Sequence, residues 1–172
     1  LGQVHAIPFE PNGSGRVIGR HTDDLARWKR YRGGTAGALW IDSTGDGDWE
    51  RLLGDEEAGL VTPHWIGERV YFVSDMEGYG NVYSCTPDGG DLQRHTDHVG
   101  FYARFAETDG DTIVYTCGGE LYRFDVASDE SERLEVDYPS SKTQLNRKFV
   151  DASDYLEDFA LHPDGHSLAI TS

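Results

Sequence analysis

Apolar and polar residues alternate over short runs along most of this chain, and each run ends in a cluster of Gly, Asp, Pro or Asn. A period of two with frequent turn residues predicts β-strands joined by tight connections, not helices. The most regular unit covers 60–98. Its runs at 61–66, 69–75 (RVYFVSD), 81–86 (NVYSCT) and 91–96 (DLQRHT) predict four strands, with turns at 76–80 and at Pro87-Asp88-Gly89-Gly90. The next unit repeats the order: 102–106 (YARFA), 112–117 (TIVYTC), 120–125 (ELYRFD) and 132–136. Before residue 60 the second half of a similar unit is legible, with ALWID at 38–42, a turn at 43–48 and a closing strand at 49–53.

The aromatics of the third predicted strands, Trp40, Tyr83 and Tyr122, lie 43 and then 39 residues apart. That spacing matches the ~40–45-residue period of four-stranded propeller blades. A second echo sets Arg20-His21-Thr22-Asp23 against Arg94-His95-Thr96-Asp97, and Leu25-Ala26-Arg27-Trp28 against Tyr102-Ala103-Arg104-Phe105. The expected fold is all-β, built of antiparallel four-stranded β-propeller blades that bury their faces by stacking on one another. The rhythm lapses from 138 to 154, which reads as a linker. Strand patterning resumes at 157–161, turns at His162-Pro163-Asp164-Gly165 and continues from 167. The expected division is therefore 1–137 as blades, 138–154 as linker, and 155–172 as the first strands of a truncated second propeller. With three fairly complete units and a start at Leu1, the chain reads as part of a longer protein.

Composition narrows the function. With 15 Lys and Arg against 31 Asp and Glu, the net charge is −16. A nucleic-acid partner needs a basic face, so that class is excluded. No run approaches the roughly 18 apolar residues of a membrane span. Two cysteines, Cys85 and Cys117, are too few for a disulfide framework and read as buried thiols of a reducing compartment.

Several strings are more specific than blade turns. LARWKRYRGGTAG at 25–37 followed by Leu39-Trp40-Ile41, RVYFVSD with Gly78, NVYSC at 81–85, and RHTDH at 94–98 resemble the tricorn protease family, as do YLEDF at 155–159 and HPDG at 162–165. The resemblance implies the later blades of a six-bladed first propeller, a linker, and the opening strand pair of a seven-bladed second one. It also implies a parent protein that is a cytoplasmic, hexameric serine peptidase degrading oligopeptides downstream of the proteasome. The family's catalytic residues lie in C-terminal segments with no counterpart here, so no catalytic residue and no cofactor is carried over. The alternative reading is a stand-alone TolB-like or WD-repeat-like scaffold that binds proteins.

The positive island Arg27, Lys29, Arg30 and Arg32, interleaved with Trp28 and Tyr31, is the candidate substrate-binding site. Guanidinium groups beside aromatics suit the carboxylate of a peptide terminus. Pairing with acids of neighbouring blades is the competing expectation, and the echo of Arg27 at Arg104 favours it for that residue. Asp42 to Asp48 partly mimics a calcium loop, but Thr44 and Leu53 stand where ligands belong, so a hairpin turn is expected. His95 and His98, with His64, are not spaced for a metal centre on one face; no metal is expected. No G-x-S-x-G elbow surrounds Ser74, Ser84 or Ser167, and Gly33-Gly34 lacks the lysine and hydroxyl of a phosphate loop.

Overall fold

Strands form where the period-two pattern is densest. A computed structural model describes residues 3–137, 139, 141 and 151–171, in two units, Leu1–Pro139 and Ser140–Ser172. In the first unit, β1 (Val4–Ala6), β2 (Arg16–Arg20), β3 (Ala38–Asp42) and β4 (Glu50–Leu52) make one antiparallel sheet. A second contains β5 (Leu60–Ile66), β6 (Arg69–Ser74), β7 (Asn81–Cys85) and β8 (Gln93–Arg94). The third contains β9 (Ala103–Thr108), β10 (Thr112–Cys117), β11 (Glu120–Asp125) and β12 (Glu130–Leu134). Strand order follows chain order in each, which is the meander of a propeller blade.

Alternation sets which residues meet. Val17 pairs with Ile41 and Gly19 with Leu39, so Val17, Leu39 and Ile41 share the face that packs on Leu60, Trp65, Val70, Phe72 and Tyr83 of the second sheet. The other face of the second sheet, with Val61, Tyr71, Val73 and Val82, packs on Tyr102, Ile113, Tyr115 and Phe124 of the third. The first strand of each of these three sheets carries a register shift, and Thr62 and Phe105 sit at two of them in the left-handed region at φ 47° and 55°. Bulges bend a strand and re-aim its side chains.

The strands read at 38–42, 112–117 and 120–125 coincide with β3, β10 and β11, but three readings are corrected. The fourth strand of the repeat at 60–98 shrinks to Gln93–Arg94, because Asp91 turns away at φ 44°. The first sheet gains β1 and β2. The two echoes fall at non-equivalent places: Arg20 ends a second strand and Arg94 a fourth, while 25–28 is a turn and Arg104 lies on β9.

The second unit contains a short 3-10 helix (Ala152–Tyr155), opened by the Asp151 carboxylate accepting from Ser153 N at 3.0 Å, and the hairpin of β13 (Asp158–Leu161) and β14 (Leu168–Thr171). Of the expected linker 138–154, residues 138, 140 and 142–150 lie outside the described residues. Among the described residues, no helix is long and apolar enough to cross a membrane.

Candidate functional site

The basic string lies in the connection between β2 and β3, at the end of the sheets where successive sheets are also joined. It is not extended, so strand alternation does not sort its side chains. Asp24 and Thr22 satisfy the local backbone: Ala26 N donates to Asp24 Oδ1 at 3.0 Å and Asp24 N to Thr22 Oγ1 at 3.2 Å. Arg30, at φ 57°, then turns the chain back. The loop is wedged against the second sheet by buried Leu25. A Cβ at Gly59 would stand 2.4 Å from Leu25 Cδ2, so a side chain there would push Leu25 out of its packed position.

Two buried carboxylates take up the arginines. Asp75, directly after β6, accepts from Arg30 N at 3.1 Å, from Arg32 Nη1 at 3.1 and 3.2 Å, and from Gly59 N at 3.0 Å. Arg30 Nε donates to the Gly78 carbonyl at 3.2 Å. Asp24 accepts from Arg104 Nε at 3.0 Å and Nη2 at 2.5 Å, a two-pronged pair reaching from the third sheet. Arg27 stands 3.8 Å from both Asp23 and Asp24. Lys29 points its Nζ at the Tyr102 ring, 5.9 Å from its centre. The four string residues therefore do not converge on one point: Arg30 and Arg32 meet at Asp75, Arg27 joins Arg104 at Asp24, and Lys29 stands apart. Arg32 also borders an open cleft of about 610 Å³ that Arg20, Trp40, Arg51, Glu56 and Glu57 help to line.

A second constellation was concealed in the sequence. The Ser84 hydroxyl lies 2.7 Å from His95 Nε2, and His95 Nδ1 lies 2.5 Å from Asp129 Oδ1. The Asp129 carboxylate accepts from Nδ1–H, which leaves Nε2 to accept from the serine. This is the hydrogen-bond order of a nucleophile, a base and its orienting acid. Three facts deny it that use. Ser84 is 0% exposed, its Oγ already accepts from Arg69 Nε at 2.8 Å, and the imidazole is walled by Tyr71 and Phe124 at 5.3 and 5.1 Å between ring centres. No carbonyl carbon can approach that oxygen. The array instead joins the second sheet to the β11–β12 turn of the third.

The remaining candidates resolve similarly. Asp42 accepts from Arg16 Nε and Nη2 at 3.0 and 2.8 Å and from the amides of Gly45 and Gly47 at 2.8 and 2.9 Å. Burial would raise this carboxyl, but Arg16 and the two amides outweigh it and hold it below the usual range. Its oxygens close the β3–β4 turn, as expected of a hairpin. His64 Nε2 donates to the Ala106 carbonyl at 2.9 Å, and His98 Nε2 lies 2.8 Å from the Tyr115 hydroxyl. Burial pushes the thiols of Cys85 and Cys117 up to about 12 and about 11, so neither is a thiolate at neutral pH.

Burial also lowers His64 and His98 below the ordinary 6.5, against the raising effects of the Ala106 carbonyl and of Asp97. The folded chain thus disfavours protonated imidazole while the unfolded chain accepts it. Stability is expected to be complete above about pH 6.5 and to fall as the pH drops through the lowered folded values. Denaturant midpoints measured from pH 8 to 5 check this, and His64→Gln, which keeps a donor to Ala106, should flatten the slope.

Against this geometry, comparison with known proteins is consistent. A family model described as the tricorn protease N-terminal beta propeller domain matches residues 1–130. The tricorn protease of Thermoplasma volcanium is 41% identical over 161 residues, covering 93% of this chain and 15% of that protein. Tricorn protease homolog 1 of Streptomyces coelicolor is 41% identical, over 88% of this chain and 15% of its own length. The chain therefore spans about 15% of the length of these relatives. A crystal structure of the tricorn protease superposes with a TM-score of 0.70 at 36% identity, covering 80% of this chain and 13% of that one. TolB from Acinetobacter baumannii, at a TM-score of 0.50 and 15% identity over 97% of this chain and 37% of its own, shares the fold alone. Sequence strings, stacked four-stranded sheets and a matching family model agree that the chain belongs to the tricorn protease family, in its N-terminal β-propeller region.

Proposed function

We propose that this chain is a non-catalytic propeller segment of a tricorn-type serine peptidase that degrades oligopeptides, and that it serves assembly and the passage of substrates and products. On this reading 1–137 are later blades of a six-bladed propeller, 138–154 a linker, and 155–172 the first strands of a seven-bladed second propeller, within a cytoplasmic hexamer. The observation that carries the reading is the commitment of the reactive-looking groups to joints between sheets. Asp24 holds Arg104 across 80 residues of chain, Asp75 holds Arg32 across 43, and the buried Ser84–His95–Asp129 array is closed to substrate.

Within the basic string, Arg27 and Arg30 serve mainly as ties. Arg32 is tied to Asp75, and Lys29 is the member placed to meet a peptide, since it is exposed and its contact is the Tyr102 ring rather than a carboxylate. The test is peptide hydrolysis by the full-length gene product and by the 172-residue chain. The full-length product should cleave fluorogenic oligopeptides and the chain should not. Lys29→Ala in the full-length product should slow peptides with an acidic terminus more than neutral ones. A full-length product without peptidase activity overturns the assignment, and an unchanged preference in the variant overturns the role of Lys29.

A further inference from the structure

We propose that the turn between β13 and β14 is a binding site for a divalent metal ion of the zinc, cobalt or nickel class, held by His162, Asp164 and His166. The three residues follow one another at i, i+2 and i+4, and their ligand atoms all lie within 4.8 Å of one another. His162 Nδ1 is 3.7 Å from Asp164 Oδ2, and the two imidazole rings are 4.1 Å apart between centres. Bonds of 2.0–2.2 Å to a tetrahedral ion place ligand atoms about 3.3 Å apart. Small side-chain rotations on an exposed turn therefore close the set around an ion, with no movement of the backbone.

The turn itself is pre-shaped. Gly165 N donates to the His162 carbonyl at 2.8 Å and His162 N to the Ser167 carbonyl at 2.9 Å. Pro163 presets the first central position, and Gly165 at φ 73° closes the turn in the left-handed region. Little chain entropy is left to lose on binding. The hydrogen bonds of the two rings also suit a ligand role. The amide of Asp164 donates to His162 Nδ1 at 3.2 Å, so that nitrogen presents a lone pair toward the Asp164 side, and a metal replaces a weak donor there. His166 Nδ1 is 2.7 Å from the Ser167 hydroxyl, which orients the ring and leaves Nε2 to bind, the usual arrangement around a metal-ligating imidazole.

Two imidazoles and one carboxylate match borderline divalent ions better than Ca²⁺ or Mg²⁺, which take oxygen ligands. Three protein ligands leave a fourth position for water or an incoming group. Three other histidines, His64, His95 and His98, are bonded to Ala106, to Ser84 with Asp129, and to Tyr115. The set is hard to see in the sequence because His-Pro-Asp-Gly reads as an ordinary turn, and His166 gains meaning only when the turn brings it back beside His162.

The experiment titrates the metal-free 172-residue chain with Zn²⁺ against a chromophoric chelator, and with Co²⁺ read by its visible absorption. One ion per chain is expected. His162→Ala and His166→Ala should each weaken binding at least about tenfold, since each removes one of three ligands, and Asp164→Asn should weaken it less. His21→Gln should leave it unchanged. Imidazole proton signals of the unsubstituted chain provide a reading independent of the variants: Zn²⁺ should move those of His162 and His166 before any others. Absence of binding at millimolar Zn²⁺, or one-equivalent binding that survives in the His162→Ala, His166→Ala double variant, overturns the proposal.

Discussion

Replacing Asp75 by alanine is expected to destabilise the first unit by about 3 kcal/mol, because it orphans several buried or half-buried donors at once. The carboxylate accepts from the amides of Gly59 and Arg30 and from the Arg32 guanidinium, and Asp75 is 1% exposed. Each unsatisfied buried donor costs about 1–3 kcal/mol, and two of these are backbone amides that cannot swing out to water. Arg32, whose side chain is 34% exposed, recovers part of its loss from solvent. Asp75→Asn keeps one acceptor oxygen and the shape, so it should cost less. Urea midpoints of the three proteins check the order: unsubstituted above Asn above Ala. An Asp75→Ala protein with the parent midpoint would show that the loop is not tied to the second sheet.

Phe124→Ala is expected to cost more, about 3–5 kcal/mol, the range for emptying an aromatic site in a core. Phe124 is 0% exposed and contacts Tyr71 on β6 and His95 just after β8, with ring centres 6.2 and 5.1 Å away. Truncation removes part of the surface by which the third sheet packs on the second and also loosens one wall around His95. The His95–Asp129 bond should then weaken with it, so Phe124→Ala and Asp129→Ala are expected to be non-additive in a double-mutant cycle. Additive midpoints would separate the core from the clasp and contradict this coupling.

Much of the blade architecture was legible because it is local. Strands β3, β10 and β11 are marked by alternation and bounded by turn residues on both sides. The first sheet's opening strands escaped because β1 has three residues and the chain between it and β2 is broken by Pro8, Pro11, Gly13 and Gly15. Repeated strings misled in one respect. RHTD occurs twice, yet Arg20 and Arg94 close different strands of their sheets, so likeness of residues did not mean likeness of position.

The candidate site was half legible for a different reason. Charge marked the basic string, but its partners Asp75 and Asp24 are set by how one sheet stacks on the next, and alternation carries no register between sheets. Ser84, His95 and Asp129 illustrate the same limit: they come from a strand, a strand end and a turn of the neighbouring sheet. Ser84 and His95 lay in the NVYSC and RHTDH strings, but nothing in the sequence tied either to Asp129. Burial then decided the meaning of the geometry, since a serine in catalytic order but 0% exposed is a joint between sheets.

That distinction is what a single labelling experiment decides. The folded 172-residue chain should be treated with a fluorophosphonate serine probe, and the modified positions read by mass spectrometry. The architectural account predicts no labelling of Ser84 in the folded chain, with or without His95→Ala. Labelling of Ser84 that disappears in His95→Ala would contradict it, because it would show a working nucleophile where the structure places a buried clasp.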